Sequence, residues 1–220
     1  MIKIFPSLIS SDLLQIKQTL ELLDPLVEGY HLDIMDFHFV PNLTWGPAFV
    51  NAIRAATKKQ LFVHLMVDNP EQYFDLFSLQ EDDIVSFHYE SPSGYTPEEL
   101  TTQISSRGWI PSIALNPETP LEVIFSLTNL QHLLLMSVNP GFSGQTFITS
   151  TLEKLVQSAT IRSQRNKPFT IAVDGGINEN NCYELASSGA DELAIATAIF
   201  KDPSPSQALL RLRKACNNQL

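Results

Sequence analysis

His31-Leu32-Asp33-Ile34-Met35-Asp36, continued through Phe37 into His38-Phe39-Val40-Pro41-Asn42, places two histidines and two aspartates within eight residues. That is too polar for an ordinary buried strand. Gly29-Tyr30 precedes the stretch, and Pro41-Asn42 closes it with a turn signal. Extended from His31 to Ile34, the chain sends alternate side chains to opposite faces, so His31 and Asp33 share one face. Leu32 and Ile34 share the other, as a strand packed under helices requires. An imidazole and a carboxylate side by side at a strand end can share one divalent ion. They also make a satisfied structural His–Asp pair. The stretch alone leaves both readings open, and the flanking sequence has to decide.

On its amino-terminal side, Ile2 to Phe5 reads as a strand ending at Pro6-Ser7. Ser10-Ser11-Asp12 then offers helix caps before an apolar helical pattern from Leu13 to Leu23. Gly29 to Ile34 is the second strand. Further strands are expected at Gln60 to Met66, Asp83 to His88, Ile110 to Leu115, His132 to Val138, Phe169 to Val173 and Glu192 to Ala196. Helices are expected between and after them: Pro47 to Ala56, Pro70 to Ser78, Pro97 to Arg107, Pro120 to Leu127, Ser150 to Arg165, Asn178 to Ser188 and Ser206 to Ala215. Strict alternation of strand and helix implies a parallel sheet. Eight such units imply a closed (β/α)8 TIM barrel, with residues 1–220 as a single domain at the compact end of the size range. A doubly wound open sheet is the alternative. It usually carries a glycine-rich loop after its first strand, and Ser7 to Ser10 contains no glycine.

Composition bounds the function. The chain has 220 residues, of which 44% are hydrophobic and 17% charged, so much of it should be interior. A net charge of −10 argues against nucleic acid as a partner, though a local site can still oppose the global field and take an anionic substrate. Cys182 and Cys216 form no C-x-x-C pair and read as reduced thiols in a cytoplasmic protein. No apolar run approaches the roughly 20 residues of a membrane helix, and no basic-then-apolar leader opens the chain. A membrane partner is therefore not expected.

In such a barrel the site lies at the carboxyl ends of the strands. Those ends hold Ser7, then His31 and Asp33 with Asp36 beyond, His64-Leu-Met66, His88, Asn116-Pro117, Met136-Ser-Val-Asn139, Asp174-Gly175-Gly176 and Ala196-Thr197. Singly each has a plain explanation: a core histidine, a methionine filling space, a turn. Jointly, His31, Asp33, His64 and Asp174 fall at one end of three strands. Two imidazoles and two carboxylates suit a divalent ion such as Zn2+, or Fe2+ or Mn2+. His88 is expected in a hydrogen-bonding or core role. Asn139 to Gln145 contains Gly141 and Gly144, and Gly175-Gly176 adds two more, so backbone N–H groups can approach an anion there. Ala196-Thr197 could open a short helix where phosphate sites of these barrels sit. None of these segments contains Lys or Arg. Any phosphate would be held by backbone N–H groups and hydroxyls.

Pro6-Ser-Leu-Ile-Ser10, His31-Leu-Asp-Ile-Met-Asp36, His38-Phe-Val-Pro-Asn42, His64-Leu-Met-Val67, Ala114-Leu-Asn-Pro117, Ser137 to Gln145 and Val173-Asp-Gly-Gly-Ile-Asn178 together resemble the ribulose-phosphate 3-epimerase family. The matches run in order from Pro6 to about Phe200. The resemblance implies a (β/α)8 barrel that interconverts D-ribulose 5-phosphate and D-xylulose 5-phosphate in the pentose phosphate pathway. It implies one divalent ion per chain, Zn2+ first, with Fe2+, Mn2+ or Co2+ as alternatives, on His31, Asp33, His64 and Asp174. Asp33 and Asp174 would be the acid/base pair. Ser7 and His64 would contact the sugar, and Met35, Met66 and Met136 would form a soft cap. Gly141, Gly144, Gln145, Gly175, Gly176, Ala196 and Thr197 would hold the phosphate, with Asn139 to Gln145 closing as a lid. Relatives assemble in more than one way, so a homo-oligomer is compatible with the resemblance.

The chemistry fits independently. Epimerisation beside a ketone removes a C–H proton and returns one on the other face, through a cis-enediolate whose charge a divalent ion stabilises. Two carboxylates on strands 2 and 7 can serve the two faces. Three departures from the family pattern stand out: Phe37 where glycine is usual, Ile-Ala196-Thr197 for Ala-Gly-Ser, and Phe87-His-Tyr-Glu-Ser91 for Val-His-Val-Glu-Ala. They bear on affinity and substrate choice. An allulose-6-phosphate (hexulose-phosphate) epimerase is the rival within the family. A sugar-phosphate-binding barrel that has lost catalysis is the rival from another class.

Overall fold

Leu61, Val63 and Leu65 of β3 (Gln60–Met66) pack outward beneath the helices, while Phe62, His64 and Met66 alternate to the inside. Every strand repeats this division, so the molecule has two main cores, with a smaller cluster of Met35, Val40 and Met66 beside them. The outer one lies between sheet and helices and includes Leu32, Ile34, Leu133, Val173, Leu193 and Leu209. The inner one is a column of Phe5, Phe62, Ile84, Ala114, Leu134 and Ala172.

The computed structural model describes residues 2–218. Along the chain the elements are β1 (Lys3–Pro6), α1 (Ile16–Leu23), β2 (Gly29–Met35), α2 (Pro47–Ala56), β3, α3 (Glu71–Phe74), β4 (Ile84–His88), α4 (Pro97–Ser105) and β5 (Ile110–Leu115). They continue with β6 (His132–Met136), α5 (Ser150–Gln164), β7 (Thr170–Asp174), α6 (Cys182–Ser187), β8 (Glu192–Ile195), α7 (Thr197–Phe200) and α8 (Pro205–Cys216). All eight strands are parallel, in the order β1-β8-β7-β6-β5-β4-β3-β2. A single parallel bridge between Ser7 and His31 joins the two ends of that order, which makes the expected (β/α)8 barrel. No described helix is long and apolar enough to cross a membrane.

Gly29 starts β2 because nothing larger fits. A Cβ there would lie 2.2 Å from the Gln60 carbonyl oxygen and 2.6 Å from the Phe5 ring. That close approach sets the strand on which His31 and Asp33 stand. At the floor of the barrel, His132 contacts Ser112 Oγ at 2.8 Å and Glu192 Oε2 at 3.1 Å, and Lys3 Nζ reaches Glu192 Oε1 at 3.0 Å. The Phe62 ring lies edge-on to both His132 below, at 5.1 Å, and His31 above, at 4.9 Å.

Of the segments expected to be helices, Leu13 to Leu23 opens as a 3-10 turn over Leu13–Gln15, Asn178 to Ser188 is α-helical only over Cys182–Ser187, and two others differ more. Pro120 to Leu127 forms a 3-10 helix over Leu121–Phe125. Its buried residues Leu121, Ile124 and Leu127 recur every third position, which suits three residues per turn rather than 3.6. Pro70 to Ser78 is α-helical only over Glu71–Phe74. There Asn51 of α2 accepts from Ser78 N at 2.8 Å and donates to Leu76 O at 3.0 Å, capturing backbone that would otherwise extend the helix.

Candidate active site

The register of β2 with β3 pairs Asp33 with His64 and Met35 with Met66, and β7 ends at Asp174. This brings together all four residues singled out as ion ligands. One ligand atom from each of His31, Asp33, His64 and Asp174 lies within 4.8 Å of all the others. His31 Nδ1 is 3.3 Å from Asp33 Oδ2, and His31 Nε2 is 4.0 Å from Asp174 Oδ2. His64 Nδ1 is 3.4 Å from Asp33 Oδ1 and 3.7 Å from Asp174 Oδ2.

Both rings are fully buried, and His31 Nδ1, His31 Nε2 and His64 Nδ1 have no hydrogen-bond partner. Buried polar atoms are normally paired, so three orphaned imidazole nitrogens around two carboxylates mark a place built for a cation. The donor set fits a divalent ion.

Charge is distributed unevenly over the cluster. Burial pushes the Asp33 carboxyl up, but His31 and His64 override it and hold the group well below the usual carboxylate range. Burial raises Asp174 to about 7; His31 opposes that shift and the Asp33 carboxylate adds to it. Burial pushes His31 down, yet Asp33 and Asp174 carry it above its ordinary value. Burial lowers His64, and it lowers His88 to about 4. In the metal-free chain, therefore, one carboxylate is firmly ionised while its neighbour holds a proton near neutrality.

Above the cluster lies a pocket. Ser7, Asp33, Met35, Met66, Met136, Gly141, Gly144, Gln145, Asp174, Gly175, Gly176, Ala196 and Thr197 all line it. His31 and His64 lie beneath that wall, and His64 faces the cluster and His88. Ser7 Oγ donates to Asp33 Oδ2 at 2.5 Å. The loop from Asn139 to Gln145 folds over the pocket, with Gln145 Nε2 donating to Asn139 O at 2.7 Å and to Phe142 O at 2.8 Å. Asn42 Nδ2 ties the same loop to the segment after β2 through Gly141 O at 2.6 Å. Gly176 has φ of 64°, and a Cβ there would come 2.5 Å from Phe147 N, so only glycine holds this turn. α7 begins beside it at Thr197, as the Ala196-Thr197 stretch leads one to expect.

His88, expected in a hydrogen-bonding or core role, is buried with a polar partner at each ring nitrogen. His88 Nε2 is 2.9 Å from His64 Nε2, and His88 Nδ1 is 3.2 Å from Glu90 Oε2. Lys201 sits where the loop sequences show no cation: its Nζ would lie 3.6 Å from a Cβ on Gly144. It follows Phe200, past the strand ends, and the short turn of α7 folds it back. Phe37 occupies a left-handed conformation, φ 65°, with 66% of its surface exposed. The family's usual glycine is therefore explained by the backbone, and Phe37 adopts that backbone at a cost.

Fold and site together define the class: a (β/α)8-barrel enzyme with its ionisable residues gathered at the carboxyl ends of the strands. Residues 3–200 match the sequence model of the ribulose-phosphate 3-epimerase family. The ribulose-phosphate 3-epimerase of Synechocystis is 36% identical over 216 residues, covering 97% of this chain and 94% of that protein. The enzymes of that name from Bacillus subtilis and Methanocaldococcus jannaschii are each 35% identical, covering 97% and 98% of this chain and 99% and 91% of their own. Among solved structures, KGPDC from Streptococcus mutans superimposes with a TM-score of 0.70 at 10% identity, covering 99% of this chain and 98% of that one. The 3-hexulose-6-phosphate synthase of Salmonella typhimurium gives 0.66 at 16% identity over the whole of both chains. These two likenesses concern the fold. The chain belongs to the ribulose-phosphate 3-epimerase family, a family of isomerases.

Proposed function

We propose that this chain is a metal-dependent ribulose-phosphate 3-epimerase interconverting D-ribulose 5-phosphate and D-xylulose 5-phosphate, a step of the pentose phosphate pathway, in the cytoplasm. The observation that carries the reading is the gathering of two carboxylates and two orphaned imidazoles under one pocket. A divalent ion held by His31, Asp33, His64 and Asp174 would act as a Lewis acid toward the negative charge of a cis-enediolate.

The chain's own residues do the rest. Asp33 and Asp174 reach the pocket from β2 and β7, so one can take the C3 proton while the other returns a proton to the opposite face. Either carboxyl can serve as the base with the other as the acid, and the roles exchange in the reverse direction. Ser7 orients Asp33 and meets the sugar at the pocket wall, and His64 supports that contact from beneath. Met35, Met66 and Met136 present soft thioethers to the reacting carbons. The phosphate is held by N–H groups of Gly141, Gly144, Gly175, Gly176, Ala196 and Thr197 with the Gln145 amide, and the loop from Asn139 to Gln145 excludes water. One barrel domain suffices for all of these roles.

Turnover of D-ribulose 5-phosphate is measured for the wild type, Asp33→Asn and Asp174→Asn, with metal content determined on the same samples. The wild type should be active, and both variants folded and at least about a hundredfold slower, the loss expected for a general acid or base. Preference for allulose 6-phosphate would move the assignment to the six-carbon sugar. A folded, metal-loaded and inactive wild type would make the barrel a binding protein.

A further inference from the structure

We propose that the His88–Glu90 pair fixes which nitrogen of His64 carries its proton, and so keeps His64 Nδ1 bare toward the ion site. The proposal rests on the metal-binding reading above. It makes His88 and Glu90 positioning residues, since neither lines the pocket.

The argument is one of donors and acceptors. An ionised carboxylate only accepts. Glu90 Oε1 takes the Asn116 N–H at 2.8 Å and the Thr119 hydroxyl. Glu90 Oε2 faces His88 Nδ1 at 3.2 Å, so that nitrogen donates. In a neutral ring the other nitrogen, Nε2, must then accept. The atom it faces at 2.9 Å is His64 Nε2, which therefore donates. His64 is left with a lone pair on Nδ1, the nitrogen that has no hydrogen-bond partner and points between Asp33 and Asp174.

The opposite assignment puts the proton on His64 Nδ1, aimed at Asp33 3.4 Å away. It would set two lone pairs against each other across 2.9 Å unless His88 gave up Glu90. Metal-ligating histidines generally depend on such a partner for their tautomer.

The pair is itself braced. The Phe39 ring lies 4.8 Å from that of His88. Lys154 Nζ donates to the carbonyls of Asn116, Pro117 and Thr119 at 3.0, 2.7 and 2.7 Å, fixing the turn that offers Glu90 its two donors. The direction of the whole chain is thus set by a residue two hydrogen bonds away from any ligand.

Glu90→Gln tests this, because it keeps the shape and reverses the polarity. The amide oxygen is drawn to the Asn116 and Thr119 donors, and its NH2 then donates to His88 Nδ1. His88 must donate through Nε2, His64 must accept, and the His64 proton moves to Nδ1. Long-range proton–nitrogen NMR on metal-free, histidine-labelled full-length protein reads the tautomers directly. Co2+ titration with Zn2+ competition reads affinity.

The wild type should show His64 protonated on Nε2. Glu90→Gln should show it on Nδ1, with Co2+ bound about 10–100-fold more weakly, the usual loss when such a partner is removed. If Glu90→Gln does not fold, His88→Phe, which keeps the ring packing, must weaken Co2+ by a similar factor. A wild-type proton on Nδ1, or a Glu90→Gln protein with unchanged tautomer and affinity, overturns the proposal and leaves the metal reading standing. A wild type that binds neither ion yet turns over substrate overturns both.

Discussion

Ser7 and Asp33 are joined by a 2.5 Å hydrogen bond across the one seam of the barrel that a single bridge closes. The Ser7 hydroxyl, one residue past β1, thus touches the carboxylate proposed for proton transfer. Ser7→Ala should lower kcat/KM by about tenfold and stability by about 1.5–3 kcal/mol, the worth of a hydrogen bond to a charged group. Steady-state kinetics and urea unfolding check it. Unchanged kinetics would show that Asp33 needs no help from β1.

Asp174 should make the metal-free protein less stable as pH rises. Its folded value near 7 lies above the ordinary 3.8, so its contribution is fully present below about pH 4 and is lost as pH rises through 7. Asp174→Asn keeps the neutral form at every pH. Its stability advantage over the wild type should therefore grow by about 2 kcal/mol between pH 5 and pH 8, within the limit set by the shift. Thermal melts in the presence of a chelator measure this, and an advantage independent of pH would contradict it.

Arg54 of α2 and Asp83, just before β4, form a buried pair with contacts of 2.9 and 3.1 Å. Asp83 also accepts from Leu61 N and Gln80 N, and Arg54 donates to Thr57 O. Asp83→Ala strands a buried guanidinium and should cost about 3–5 kcal/mol. Activity per folded molecule should stay close to that of the wild type, since the pair lies away from the pocket. Denaturation followed by active-site titration separates the two effects.

Phe37 should tolerate loss of its side chain better than its size suggests. It is exposed and held at φ 65°. Phe37→Gly relieves about 1–2 kcal/mol of left-handed strain and gives up part of that to unfolded-chain entropy. Stability should stay level or rise by up to about 1 kcal/mol. A loss larger than that would mean the ring packs on something in solution.

The barrel was legible because alternation is a local signal. Leu32 and Ile34 against His31 and Asp33, and Leu61, Val63 and Leu65 against Phe62 and His64, separate the two faces without any tertiary information. The same alternation gathered the four-residue cluster, since parallel strands in register put equivalent positions side by side. What escaped depends on closure. Glu90 looks like loop polarity until the barrel sets it behind His88, and Lys201 looks remote until α7 turns it back toward Gly144. The short helix at Leu121–Phe125 did leave a trace, the every-third spacing of Leu121, Ile124 and Leu127. Arg54 and Asp83 left none: each is an ordinary charge until packing buries both.

Phe62 stands between two polar layers, with His31 on one side of its ring and His132 on the other. It has nothing to donate or accept, so a proton cannot hop across it. The mouth carries the four-residue cluster, and the floor is anchored by Lys3 and Glu192. Direct proton exchange between His31 and His132 through this ring is therefore closed, while the charges of the two layers still act on each other through the low-dielectric barrel. The ring breaks the hydrogen-bonded path down the barrel axis without screening the field along it.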